Sequence, residues 1–339
     1  MRIKDVAREA GVSTATVSHV INNTRFVSEE TRQKVMRAIE RCHYYPNAHA
    51  RYLASGRSRT LGLLISDIVN PFFPELVKSM ETAAFEHGYE VVLSNTNYDA
   101  ARTSDYVRRM IERKVAGVAL MTSELDPALL DELARREVSV VFLDLGSAGP
   151  HMSNINIDYG VGIDEAVRHL VSLGHQRINF INGPAQLRSA SRRLEAFYES
   201  HARHLADAPP SKVYESDFRL EGGRRAARAM LDARELPTAV MVANDMMALG
   251  AMQEFHSAGL SIPQDVSIIG FDDIAFVSLA EPALTTVCLP REEVGRRAVE
   301  ALMQMIEHPD RAGVEIDIST HLVVRNSTGP TAGMRNREP

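Results

Sequence analysis

From residue 61 onward, short apolar runs alternate with helical stretches, and this alternation constrains the fold more than any other feature of the sequence. The first run, 61–66, is apolar up to its final serine, as strands buried on both faces are. A helical stretch at 72–87 follows it and ends before Gly88. The alternation predicts parallel sheets with helices on both faces, and its length favours two sheets over a single very large one.

The alternation divides into two successive series of predicted elements. The first series has strands at 61–66, 89–93, 118–121 and 138–143, with helices at 72–87, 101–113 and 127–136. The second has strands at 177–181, 213–214, 239–242 and 266–270, with helices at 161–173, 190–205, 220–233 and 245–258. Two such sheets place a cleft where strand ends meet, which is the usual position of a ligand in α/β folds.

The first 59 residues, the head, have short helices in place of strands. Apolar residues of the first segment follow helical spacing, and Gly11 breaks it before a second helix at 14–22, which Ser13 can cap. Two helices joined by a tight glycine turn predict an all-α helix-turn-helix over 1–45, with its second helix in the major groove of DNA. A plain three-helix packing module is the alternative, because such shapes also occur without DNA.

Charge separates the head from the rest of the chain, the body. Residues 1–60 carry 11 Lys and Arg and 5 Asp and Glu, a net charge of +6, whereas the remainder carries 27 and 39, a net charge of −12. A basic head on an acidic body is expected when only the head meets phosphate groups. The expected contacts of the second helix are Thr14, Ala15 and His19 at base edges, and Ser13, Thr16, Ser18 and Asn22 at phosphates.

Several segments, in order and at matching distances, resemble the lactose-repressor and galactose-repressor family. They include IKDVA at 3–7, TVSHVIN at 16–22 and NAHARYLA at 47–54, and in the body NPFF at 70–73, AND at 243–245, GFDD at 270–273 and PALTT at 282–286. The head is most similar to the purine- and ribose-repressor branch. The resemblance implies a ligand-controlled transcription regulator of repressor type, which binds palindromic operator double-stranded DNA as a homodimer.

The resemblance gives the stretch 46–59 the role of a hinge helix and linker. In the family this helix folds only on operator DNA, and the hinges of two subunits enter the minor groove together. Leu53 stands where the family has a leucine that wedges between central base pairs and kinks the duplex. Asn47 and Arg51 are the other expected DNA contacts here. A helix this short is not stable alone, which agrees with folding on DNA.

The body is expected to be of the periplasmic-binding-protein type, with a small-molecule effector bound between two parallel-sheet subdomains. These are expected at roughly 60–160 with 291–320 and at 161–290 with 321–327, followed by a disordered tail at 328–339. The expected effector-binding residues are Asn70, Phe72, Phe73, Asp144, Ser189, Arg193, Phe218, Asn244 and Asp272. Aromatic faces suit the C–H surface of a sugar, and the polar groups suit its hydroxyls. Asp245 and Asp273 are interpreted as structural.

Two positions depart from the family pattern. Leu289 stands where the family often has Gln or Arg, which argues against a strict ribose-like set of hydrogen bonds. Leu187 replaces an arginine that the purine repressor uses near its ligand. A sugar or sugar derivative is therefore the expected effector, with a purine or another metabolite as the alternative.

Other classes of protein fit the sequence less well. It has no GxSxG, HExxH or GxxxxGK[ST] motif, and Gly160 and Gly162 lack the third glycine of a dinucleotide-binding loop. We therefore expect no enzyme activity, catalytic residue, metal or cofactor. No apolar run reaches the 18 residues that a membrane span needs, and two distant cysteines fit a reducing cytoplasm. A cytoplasmic ligand-binding protein without a regulatory role is the remaining alternative.

Overall fold

The computed structural model describes residues 2–22, 25–44, 58–122, 127–233 and 236–332. The chain forms two compact units, Met1–Ser58 and Arg59–Pro339, which correspond to the head and the body. Within the described ranges, no helix is both long and apolar enough to cross a membrane.

The described part of the head contains three helices, α1 at Ile3–Ala10, α2 at Thr14–Asn22 and α3 at Glu29–Arg41. Gly11 ends α1 in the left-handed conformation, with φ of 66°, and its N–H bonds back to carbonyls of the last turn. The three helices pack their apolar faces together in a small core around Val6, Val17 and Val35. The predicted hinge helix and its residues Asn47, Arg51 and Leu53 lie outside the described residues.

The body contains twelve strands and eight helices in its described ranges, named here in chain order. The strands are β1 Thr60–Ile65, β2 Glu90–Asn95, β3 Gly117–Met121, β4 Ser139–Leu143, β5 Met152–Asp158, β6 Ile178–Asn182, β7 Val213–Glu215, β8 Ala239–Val242, β9 Ser267–Asp272, β10 Thr285–Cys288, β11 Glu315–Ser319 and β12 His321–Val323. The helices are α4 Phe72–Glu86, α5 Ala100–Glu112, α6 Pro127–Arg135, α7 Tyr159–Ser172, α8 Arg188–His204, α9 Leu220–Asp232, α10 Asp245–Ser257 and α11 Arg291–Glu307. A 3₁₀ turn lies at Ala275–Ser278.

These strands form two six-stranded sheets. The first has the order β11-β5-β4-β3-β1-β2 with every neighbour parallel, and its central strands β1 and β3, each paired on both sides, are almost entirely buried. The second has the order β12-β10-β9-β8-β6-β7 and is parallel except for the antiparallel edge strand β12. The chain passes between the sheets three times within the described body: from β5 to β6, from β10 to β11 and from β11 to β12.

The chain after Asn326 is ordered further than the sequence predicts. Thr328 bonds through its hydroxyl to Nε2 of His169 at 2.9 Å, and the carbonyl of Gly329 accepts from Nε2 of His175 at 3.0 Å. The backbone N–H of Thr331 donates to the carbonyl of Leu173 at 3.0 Å. The expected disorder is therefore wrong for residues 328–331, because the polar groups of α7 and its C-terminus bind this short stretch. Residues 333–339 lie outside the described part.

Candidate functional site

A cleft opens in the body between the two sheets. It is bordered by residues that follow the carboxyl ends of strands in both, such as Thr122 after β3, Asp144 after β4 and Asn244 after β8. Parallel strands bring their carboxyl ends to one edge, which is why groups distant in sequence meet there. The empty space between the lining residues is about 650 Å³, and part of it is open to solvent.

All nine residues that the sequence suggests for effector binding line this one cleft. They are Asn70, Phe72, Phe73, Asp144, Ser189, Arg193, Phe218, Asn244 and Asp272. The first four come from the half of the body built on the first sheet, and the other five from the half built on the second. A ligand in the cleft would therefore touch both halves at once.

Aromatic rings form the apolar part of the lining. Phe72 and Phe73 meet edge to face, with ring centroids 5.1 Å apart and planes at 85°. Phe218 faces them from the other half; its φ of 61° is in the left-handed region, and its ring covers Gly183, where a Cβ would lie 2.2 Å from the ring. This close approach requires glycine at 183. Such rings present flat faces suited to the C–H surface of a small polar ligand.

Arg193 and Asp272 form the charged centre of the second half. The guanidinium donates from Nη2 to Asp272 at 3.3 Å and from Nη1 to the carbonyl of Ala243, while its plane covers the ring of Phe271 at 4.0 Å. Both side chains are more than nine-tenths buried, and Nε of Arg193 has no hydrogen-bond partner within the described structure. Burial raises the pKa of Asp272 to about 6, although the Arg193 and Arg291 charges lower it.

A second ion pair joins the two halves across the cleft. Arg192 of α8 donates to Asp144 at 2.6 Å and to the carbonyl of Ile157 in β5 at 3.1 Å. The same carboxylate oxygen accepts from the N–H of Ile157 at 2.9 Å, and the other oxygen of Asp144 is buried with no partner among the described residues. Tyr159 lies beneath both arginines, 5.2 Å from Arg192 and 5.4 Å from Arg193, and burial raises the pKa of its hydroxyl.

A second link between the halves lies outside the cleft lining. Glu75 of α4 accepts from Nε of Arg291 at 2.9 Å and from the backbone N–H of Ala275 at 3.2 Å. Arg291 in turn donates to the backbone carbonyls of Asp272 and Asp273. The loop after β9 is thereby tied to a helix that packs on the first sheet.

The two aspartates interpreted as structural lie outside the lining. Asp245 is fully buried and accepts from the hydroxyl of Thr286 at 2.6 Å and the N–H of Ile274 at 2.9 Å, and burial raises its pKa well above the usual value. Asp273 pairs with Arg325 at 2.7 Å. Each therefore holds a loop or strand in place.

Other lining residues were not named as site residues from the sequence. They are Ser66, Tyr98, Met121, Thr122, Leu143, Leu145, Tyr159, Arg188 and Leu289. Thr122 follows a predicted strand, so the strand-end rule could have found it. Tyr159 and Arg188 begin helices whose starts were predicted two residues late. Because of this error, neither residue was predicted at a helix start beside the cleft. Leu187 is buried and is not part of the lining.

In the head, the predicted DNA contacts of the second helix lie along α2, from its N-cap Ser13 to its last residue Asn22. The hydroxyl of Ser13 accepts from the N–H of Thr16 at 3.0 Å and so caps the helix, while Thr14 and Ala15 are exposed. Thr16, Ser18, His19 and Asn22 are half-buried, and the amide of Asn22 donates to the hydroxyl of Ser18 at 3.1 Å. An exposed helix start of this kind can enter a groove of DNA with its first side chains and N–H groups foremost.

Comparison with known proteins agrees with both parts of the chain. Residues 2–47 match the profile of bacterial regulatory proteins of the lacI family, and residues 167–328 match that of the periplasmic binding protein-like domain. The HTH-type transcriptional repressor PurR of Photobacterium profundum is 35% identical over 96% of this chain and 98% of its own length. The ribose operon repressor of Escherichia coli K12 is 37% identical over 96% of this chain and 99% of its own length.

A solved structure of the Lac repressor dimer, bound to operator and an anti-inducer, superposes with a TM-score of 0.87 at 30% identity, over 97% of this chain and 99% of that one. Fold and site together define a DNA-binding transcription regulator, with a helix-turn-helix head and a periplasmic-binding-protein-like body. The chain belongs to the lacI family of bacterial regulatory proteins, and its relatives include transcriptional repressors. The predicted family and fold class are confirmed.

Proposed function

We propose that this protein is a repressor whose affinity for a palindromic operator is controlled by a small polar effector bound in the body cleft. One observation carries the proposal: nine side chains suggested by sequence alone, drawn from both halves of the body, converge on a single cleft. A ligand touching both halves changes the free energy of one arrangement of the halves relative to another. That difference is what a ligand needs in order to act as a switch.

The operator is expected to have two-fold symmetry. The Lac repressor relative is bound to its operator as a dimer. If this chain also pairs, each head reads one half-site, and the half-sites lie about one helical turn apart. The roles of Asn47, Arg51 and Leu53 in the minor groove belong to this proposal. It places the protein in the bacterial cytoplasm, where operator DNA is found.

The effector is expected to be a sugar derivative in preference to a purine. Phe72, Phe73 and Phe218 give the cleft apolar faces, while Asn70, Ser189 and Arg193 offer polar groups between them. Leu187, which replaces the purine repressor's arginine, is buried outside the lining. Leu289, at a position that is often polar in the family, lines the cleft as an apolar group.

Arg192 and Glu75 give the switch a physical basis. Each makes polar contacts between the halves, so a change in their relative position must break or remake these contacts. Effector binding would select the arrangement with the better ligand contacts. In the proposed dimer this arrangement decides whether two hinge helices can meet on the operator.

A gel shift of the full chain on the DNA upstream of its own gene tests the proposal. We expect a discrete complex that Thr14→Ala weakens. Arg193→Ala should still form the complex, but effector should no longer change it. Equal binding to unrelated DNA of the same length, or an unaltered effector response in Arg193→Ala, would contradict the proposal.

A further inference from the structure

We propose that the effector carries an oxyanion, a carboxylate or a phosphate, and that Arg188 at the start of α8 holds it. This inference rests on the proposed function in one respect, namely that the cleft is the effector site. It goes further by assigning a charge to the ligand and a residue to that charge.

The pairing of charges in the cleft leads to this assignment. The charged lining residues are Asp144, Arg188, Arg193 and Asp272. Asp144 is paired with Arg192 at 2.6 Å, and Asp272 with Arg193 at 3.3 Å. Across the described ranges, Arg188 has no carboxylate within 4 Å and no side-chain hydrogen bond. The lining therefore keeps one cation that no protein anion neutralises.

The position of Arg188 suits an anion. It is the first residue of a 17-residue helix, and it lies on the cleft beside Ser189. The N–H groups of Ala190 and Ser191 bond to the carbonyl of Leu187, whereas no acceptor within the described residues takes the N–H of Arg188 or of Ser189. A guanidinium fork beside free N–H groups at a helix start is a favourable arrangement for carboxylate or phosphate oxygens.

Arg193 supplies independent support. It follows Ser189 by four residues, so both lie on the same face of α8, and both line the cleft. Arg193 is 7% exposed, and its guanidinium is held in place by Asp272 and by the carbonyl of Ala243. An oxyanion of the ligand beside Ser189 would therefore lie near a second, fixed guanidinium as well as near Arg188.

A neutral sugar would meet fewer of these groups. Its hydroxyls could bond to Ser189 and to Asn70, but they would bring no counter-charge to the exposed guanidinium of Arg188. An oxyanion on the ligand satisfies the same donors and also balances the charge. Charge-assisted hydrogen bonds are roughly twice as strong as neutral ones.

Calorimetric titration of the full chain with inorganic phosphate, at constant ionic strength set by chloride, tests the proposal without a known effector. Arg188→Gln removes the charge but keeps a polar side chain, and Arg177→Gln, at an exposed arginine outside the cleft, is the matched control. We expect phosphate to bind the unaltered chain and Arg177→Gln alike, and to bind Arg188→Gln at least about tenfold more weakly. No phosphate binding, or the same affinity in Arg188→Gln, would overturn the proposal.

One further titration and one binding measurement distinguish carboxylate from phosphate and keep the anion site separate from the proposed function. Acetate in place of phosphate shows which oxyanion is preferred, and a loss with Arg188→Gln for either one supports the site. Operator binding, measured in parallel, keeps the proposed function distinct. If a neutral sugar releases the operator while phosphate binding is unaffected by Arg188→Gln, the anion site is contradicted and the proposed function stands. If no operator is bound while Arg188→Gln weakens phosphate binding, the proposed function is contradicted and the anion site stands.

Discussion

At the residue scale, Asp272 has the clearest measurable consequence. Burial raises its pKa from 3.8 to about 6, so the folded chain binds this proton more tightly than the unfolded chain does. Asp272 therefore favours the folded state below pH 4, and this contribution is lost as the pH rises through 6. A rise of this size corresponds to about 3 kcal/mol at most.

Asp272→Asn removes that titration and leaves the charge of Arg193 in place. The free energy of unfolding of the unaltered chain, minus that of the variant, should fall by about 2–3 kcal/mol between pH 4 and pH 7. Urea unfolding at steps of half a pH unit measures this difference. If the difference does not change with pH, the folded chain does not disfavour the charged form of Asp272.

Arg192 offers a second test at this scale. Its loss leaves the buried carboxylate of Asp144 with a single described donor, the N–H of Ile157. Because Arg192 is itself partly exposed, we expect Arg192→Met to lower the free energy of unfolding by about 1–3 kcal/mol. The double variant with Asp144→Asn should recover part of that loss. No loss in the single variant, or no recovery in the double, would mean that the pair does not hold the halves together.

Side chains at strand ends were predictable from sequence, and paired charges were not. Asn70, Asp144 and Asp272 follow apolar runs, and the geometry of parallel sheets brings such positions together whatever the details of the fold. The partnership of Asp144 with Arg192 joins residues 48 positions apart on different halves. No local sequence pattern indicates this pairing. The sequence could therefore predict that Asp144 lines the cleft, but not that Arg192 neutralises its charge.

At the element scale, two adjacent residues at the start of α2 have different expected roles, one in helix stability and one in DNA contact. Ser13 caps the helix through its hydroxyl, whereas Thr14 is exposed. We expect Ser13→Ala to destabilise the head by about 1 kcal/mol and to speed amide exchange throughout α2. Thr14→Ala should leave exchange nearly unchanged and weaken specific operator binding about fivefold, or about 1 kcal/mol.

Hydrogen exchange of the full chain and fluorescence anisotropy on operator DNA measure the two effects separately. Equal exchange in the two variants would contradict the capping role of Ser13. Unchanged operator affinity in Thr14→Ala would contradict the placement of this helix start against base edges.

Strands buried on both faces were easier to predict than short or polar ones. β1 and β3 are continuous apolar runs and were predicted within one or two residues. β5, with the sequence MSNINID, was missed because three of its residues are Asn or Asp, which are usually rare in strands. Its Asn154 and Asn156 are satisfied by Glu315 of the neighbouring strand β11, a partner more than 150 residues away.

At the scale of the whole molecule, the path of the chain between the two sheets could not be predicted from alternation alone. β11 and β12 are separated only by Thr320, yet they belong to different sheets. The strand pattern is the same whichever sheet a strand joins, so pairing depends on tertiary contacts. The three connections nevertheless matter most for function, because any relative movement of the halves must pass through them and through the polar links of Arg192 and Glu75.

Selection of DNA from a random double-stranded library by the full-length protein tests the central claim most directly. We expect enrichment of one sequence with two-fold symmetry, whose half-site centres lie about one helical turn apart. Thr14→Ala should select a site altered at symmetric positions in both halves. No enriched sequence, or a single asymmetric half-site, would contradict a paired helix-turn-helix regulator under the control of an effector cleft.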